Sequence, residues 1–184
     1  MADVRLNDDQ VYRFYLAHPL AFEDPAAITV AELNANPTND PNGLIWNVTC
    51  ALSTDSTTFD LDEPEYDEST SFCQKAGSQE PMAKNANVVF DYFRATDEMS
   101  TVNPTMWNNA HLAFTLMQWR GQEYLAIMSI GESEDAPFEV GDEISVVQVA
   151  TDHAVDNIGN GENVTSTQTF AQRGVWSWEW PLAA

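Results

Sequence analysis

Cations are what this chain most lacks: 7 lysine and arginine residues stand against 29 aspartates and glutamates in 184 residues, a formal net charge of −22. A surface so poor in positive charge cannot hold a phosphate backbone by releasing counterions, which excludes a sequence-reading DNA or RNA binder. Lysine is scarcest, with only Lys75 and Lys84. Cysteine is equally rare, and Cys50 and Cys73 form neither a disulfide framework nor, without a Cys-x-x-Cys motif or a nearby histidine pair, a zinc site, so both are expected to be reduced. No stretch approaches the ~20 consecutive apolar residues of a membrane span. The opening MADVRLNDDQVYRF has no signal-peptide core, so a soluble protein that starts life in a cytoplasm is expected.

Chemical motifs are missing as well. There is no G-x-S-x-G elbow, no P-loop and no Rossmann fingerprint, and His18, His111 and His153 are scattered outside any ligand-spaced pattern. No catalytic residue, metal or cofactor is therefore expected, and the chain is read as a non-enzyme. Two of its 29 carboxylates could still be brought together as a glycosidase pair, but that many acids make the possibility uninformative. The acids between Asp60 and Glu68 lack the glycine-punctuated spacing of an EF-hand and read as a solvated face.

What is present is a core. Hydrophobic residues make up 43% of the chain, with 6 Trp, 9 Phe and 5 Tyr, too many for a disordered polymer, and the length suits one domain over residues 1–184. Strand-like alternation or β-branched and aromatic runs mark residues 9–16, 44–52, 87–94, 124–130 and 143–150, and two further strands are expected at 163–170 and 175–180, joined at Arg173-Gly174. Thr29 three residues before Glu32 is a capping box for a short helix. Asn103-Pro104 is an N-cap followed by proline at the first helical position, so a second helix begins there; residues 112–119 fit its continuation or a strand. The fold class is mainly β, a sandwich or barrel with one or two short helices.

Residues 55–86 form a long excursion, with at most one edge strand near 57–62; seven acids and no base fall within 55–68. Loops of this length are uncommon in compact domains, and Phe59, Tyr66 and Phe72 point to a surface that docks. Trp176, Trp178 and Trp180 recur at period two near the C-terminus. They suit packing in the core or against another subunit, with a sugar-stacking platform as the alternative.

The order of these features resembles one family. Asp24-Pro25-Ala26-Ala27-Ile28-Thr29-Val30-Ala31-Glu32-Leu33-Asn34-Ala35 is similar to the D-P-x-A-P-T-x-x-E-L-x-A segment of the major tail proteins of long-tailed phages and related viruses. Gln122-Glu123-Tyr124-Leu125-Ala126-Ile127-Met128 resembles that family's Gly-Tyr-Leu-Val-Val-Arg passage, and Pro137-Phe138-Glu139-Val140-Gly141-Asp142-Glu143-Ile144 its P-F-x-x-G-D-x-V segment. Gly161-Glu162-Asn163 before a threonine-rich strand also fits. Ile28, where proline is usual, and Met128-Ser129, where arginine often stands, depart from the pattern. The resemblance implies a β-sandwich subunit, six of which form a ring whose strands join into a barrel, with rings stacked into a tail tube and the 55–86 segment reaching the adjacent ring. Implied partners are further copies of the chain, the tape-measure and tail-end proteins, and DNA only as unbound cargo, with no membrane; a carbohydrate- or receptor-binding sandwich is the alternative.

Negative walls would suit a DNA conduit, since they repel phosphate. Residues 121–172 hold ten acids and no Lys or Arg, which makes Glu123, Glu139, Asp142 and Glu143 the candidate lumen acids. A surface adapted to high salt would show the same excess of acid, and both explanations can hold together.

Overall fold

A computed structural model describes residues 11–35, 42–54, 56–61, 66–67, 80–81, 86–131, 133, 136–157 and 164–183; within these, the side chains of 11, 66–67, 80–81, 97–99, 131 and 175–179 are not described. The chain is mainly β, a sandwich-like arrangement with three short α-helices among the described residues. In chain order the elements are β1 (Val11–Ala17), α1 (Val30–Ala35), β2 (Ile45–Asn47), β3 (Thr58–Leu61), β4 (Tyr66–Asp67), β5 (Glu80–Pro81), β6 (Ala86–Phe93), α2 (Asp97–Val102), α3 (Pro104–Met117), β7 (Glu123–Gly131), β8 (Glu143–Thr151), β9 (Val155–Asn157) and β10 (Thr165–Pro181).

All pairings among these strands are antiparallel, in the order β2-β1-β7-β8-β10-β6-β3, with β9 beside β10 and β4 paired only to β5. The path folds over at β10. The first part of that strand pairs with β6 from Thr165↔Phe93 to Thr169↔Val89, and the later part pairs with β8 from Phe170↔Thr151 to Pro181↔Glu143. One strand thus serves two sheets, a device that turns the corner of a sandwich. The expected pair of strands meeting at Arg173-Gly174 is corrected to this single strand. Where a turn was read, a register shift between Gln172 and Gly174 makes a β-bulge, which adds a residue without reversing the chain.

Side-chain alternation decides which residues each sheet buries. In the first sheet, Leu16, Tyr124, Ala126, Val147, Val149 and Phe170, the last where β10 pairs with β8, face inward and meet Val88, Phe90 and Tyr92 from the second. Edge-on ring contacts of Phe90 with Phe14 at 5.7 Å and with Phe170 at 5.2 Å tie the layers together. Leu112, Ala113, Leu116 and Met117 of α3 close one side of this core, so residues 112–117 continue the helix. Asn103 caps that helix by accepting from Met106 N at 3.1 Å, as its sequence requires. At the other end, the Tyr124 hydroxyl donates to the Leu116 carbonyl at 2.7 Å, satisfying one acceptor that the helix terminus leaves over. Gly121, at φ +81, makes the turn into β7.

The strand read at residues 44–52 is shorter than expected: β2 stops at Asn47 and a 3-10 turn follows at Thr49–Ala51. Asn47 Oδ1 accepts from Thr49 N at 3.0 Å, a local turn that competes with strand continuation.

Candidate functional site

The two sheets present unlike outer faces. On the outer face of the first, Tyr15, Ala17, Leu125, Ile127, Ile144 and Val146 form a second core with Phe22, Ile28, Leu33, Phe138 and Leu182. α1 and the 136–142 segment cover this face. The capping box closes as its spacing predicts: Glu32 accepts from Thr29 N at 2.9 Å and Thr29 Oγ1 at 2.8 Å, and Thr29 Oγ1 accepts from Glu32 N at 3.3 Å. Partial burial opposes the Glu32 charge, but hydrogen bonds from Glu23 N and from both Thr29 donors outweigh it and hold the carboxyl below its usual range.

Arg13 is the latch of that cover, and its side chain is only 1% exposed. Its Nε donates to Ser129 Oγ at 3.0 Å, Nη1 to the Ala136 carbonyl at 2.8 Å and Nη2 to Asp142 Oδ2 at 3.3 Å, while the guanidinium lies 4.4 Å over the Phe138 ring. A buried guanidinium must find such partners, and here they fix the 136–142 segment to the sheet. Gly141, at φ +97, makes the turn that brings Asp142 back.

The outer face of the second sheet is different. The register places Thr58, Asp60, Asn87, Val89, Asp91, Phe93, Val155, Asn157, Thr165, Thr167 and Thr169 on it, and none of them belongs to either hydrophobic cluster. Asp91 is buried within it, accepting from Thr167 Oγ1 at 2.8 Å and from Asn157 Nδ2 at 3.4 Å. Asp60, Asn87, Asn157 and Thr169 are exposed, and these strand positions carry no Lys or Arg. Among the described residues, β3 ends this sheet on one side and β9 on the other.

Where the folded-back path brings β1, β7 and β8 beneath β3, a groove of about 950 Å³ opens. Phe14, Phe59, Met128 and Ile130 line it, with Asp60 and Glu143 as its carboxylates and no base. Among the described residues no three His, Cys, Asp or Glu side chains converge as metal ligands.

The residues singled out from sequence are dispersed by this fold. Phe59 is buried in the first core and walls the groove, so its ring packs within its own subunit, 6.3 Å from that of Phe14. Tyr66 lies in the β4–β5 pair with its side chain outside the described residues, and Phe72 lies outside them altogether. Trp180 is exposed, whereas the side chains of Trp176 and Trp178 fall outside the described set. Glu123 begins β7 and pairs with Ala150, at the opposite end of the sheet from Glu139, Asp142 and Glu143. The four acids therefore do not form one patch, and Asp142 is occupied by Arg13. Sequence reading missed the open face, although the alternating threonines of residues 165–169 signalled it.

No curated protein matches the chain. A family model described as phage tail tube protein matches residues 1–184, the whole chain. The polar open face, the sandwich and this full-length match agree, and the chain belongs to the phage tail tube protein family, as a structural component of a viral tail.

Proposed function

We propose that the chain acts as a single tail-tube-like β domain over residues 1–184, that six copies close into a ring, and that stacked rings form the tube through which viral DNA passes unbound. The observation that supports this reading is the open face of the second sheet, which offers hydroxyls, amides and the Asp60 carboxylate but no cation. DNA sliding past such a wall meets repulsion and weak contacts, with no counterion release to hold it. Because β3 and β9 end that sheet, head-to-tail joining of β3 in one copy to β9 in the next would merge six sheets into one barrel around the bore. Glu123, Glu139 and Glu143 would add negative charge at the two ends of each subunit. Assembly would take place in the host cytoplasm, with the tape-measure and tail-end proteins as partners.

Negative-stain microscopy and light scattering of the purified protein across a salt series test the reading. Rings or tubes should form, and more readily as salt rises, because copies of net charge −22 repel one another. Duplex DNA should not be retained even at low salt. Monomers that bind a glycan at every salt concentration would overturn the reading in favour of a carbohydrate-binding module.

A further inference from the structure

Most of the large apolar side chains left exposed among the described residues gather at the two ends of the first sheet. Leu20, Leu44 and Trp119 stand at the end where β1 finishes, and Tyr12, Val140 and Trp180 at the end where it starts. Val102, closing α2, and Val155, on β9, are the others of this kind and stand apart. Apolar residues scattered singly over a surface need no explanation, whereas grouped ones mark a contact.

Strand register fixes both groups. At the first end, Ala17 pairs with Ile45 and with Leu125, and His18 N donates to the Leu44 carbonyl at 2.8 Å, so Leu44 lies beside the turn that carries Leu20. Trp119 joins them from the end of α3, where its carbonyl accepts from Thr151 Oγ1 at 2.6 Å, next to the Glu123↔Ala150 pair. At the second end, Tyr12 pairs with Ile130 and Glu143 with Pro181, the neighbour of Trp180. Val140 sits on the turn that Gly141 N fastens to the Leu182 carbonyl at 3.1 Å. The nine residues of β7 hold the two sheet ends roughly 27 Å apart.

The ends also differ in charge. The first presents Arg120, its side chain 77% exposed although paired with Asp152, together with the Glu123 carboxylate. The second presents Glu139 and Glu143, and the described cation there, Arg13, is buried. Two copies of the second end would therefore repel each other, while the first end offers it a cation.

We propose that these ends are the stacking surfaces of the tube: Leu20, Leu44 and Trp119 of one copy pack against Tyr12, Val140 and Trp180 of a second copy in the next ring, an inference that rests on the ring reading above. Joining β3 to β9 within a ring uses the strand edges of the second sheet and leaves both ends of the first sheet available for this contact. A contact between unlike ends does not close on itself, so it repeats along an axis, as a tube requires. Apolar area removed from water drives it, and Arg120 facing the acids of the second end sets its polarity.

The test uses two variants of the full chain. Leu20→Gln with Trp119→Gln blocks the first end, and Val140→Gln with Trp180→Gln blocks the second. All four positions are exposed, so melting temperatures should stay unchanged. Each variant should form single rings, with a mean stack length in negative stain at least about tenfold shorter than that of the parent. Mixed together, the two variants should give stacks of two rings, because each retains the end that the other has lost. Parental tube lengths in either variant, or two-ring stacks from one variant alone, would overturn the assignment and leave the tube reading intact. Folded variants that no longer form rings would also overturn it, by moving these groups to the contact within the ring. A parent protein that forms no rings would overturn both.

Discussion

The two outer faces of the sandwich teach different lessons about one chain. The first sheet hides its outer face under α1 and the 136–142 segment, with a second apolar core and an almost wholly buried arginine holding the cover down. The second sheet leaves threonines, asparagines and aspartates, interspersed with Val89, Phe93 and Val155, facing outward, outside both hydrophobic clusters. Burial of apolar area stabilises the first face, so a change there should show in unfolding. Little stability is invested in the exposed positions of the second, so a change there should show in what the assembled protein does.

The largest effect is expected at the latch. Arg13→Ala removes the buried member of an ion pair whose Asp142 is partly exposed, together with the donors to Ser129 and Ala136, and should cost about 3 kcal/mol in urea unfolding. A loss below 1 kcal/mol would mean that the cover is held by its apolar contacts alone.

Tyr124 probes the opposite side of the same sheet. Tyr124→Phe leaves the Leu116 carbonyl without its donor and should cost about 1–3 kcal/mol. Burial pushes the pKa of the Tyr124 hydroxyl up to about 12, above the ordinary 10.0 of a tyrosine. The unfolded chain therefore ionises first, and the contribution of this group is fully present below pH 10 and lost as pH rises from there towards 12. In the Phe variant that part of the alkaline destabilisation should disappear, which melting curves across this range would reveal.

A smaller effect belongs to the cover helix. Thr29→Ala opens the capping box and should cost about 0.5–2 kcal/mol. Because the folded carboxyl of Glu32 lies below its unfolded value, its contribution is present above the unfolded pKa and lost as pH falls through the folded one. Parent and variant should therefore converge in stability on acidification; a constant gap down to full carboxylate protonation would remove Glu32 from the account.

The smallest stability change is expected on the open face, where Thr169→Lys should shift unfolding by less than about 0.5 kcal/mol. Its consequence should appear in assembly: tubes of the variant should retain duplex DNA at low salt, whereas parent tubes release it. Variant tubes that also release DNA would place this face away from the bore.

Local signals in the chain were enough to establish the mainly β class, the capping box at Thr29, the helix start at Asn103 and the strands around residues 87–94, 124–130 and 143–150. Each depends on neighbours within a few residues, through alternation, a capping side chain or a proline. The segments quoted for the family resemblance were likewise legible, because they are contiguous. Tertiary structure alone decided that residues 165–181 are one bent strand shared by two sheets, since a bulge and a turn can share the same Arg-Gly dipeptide. It alone turned Arg13 inward, because the partners that make a buried guanidinium tolerable, Ser129, Ala136 and Asp142, stand more than a hundred residues away. For the same reason it scattered the candidate acids: β7 and β8 run antiparallel, so residues close in sequence order were carried to opposite ends of the sheet. Phe59, read as a docking aromatic, became a core residue once β3 paired with β6 and turned that ring towards Phe14. Which side of a strand meets the other layer is a property of long-range pairing, and no local pattern of residues contains it.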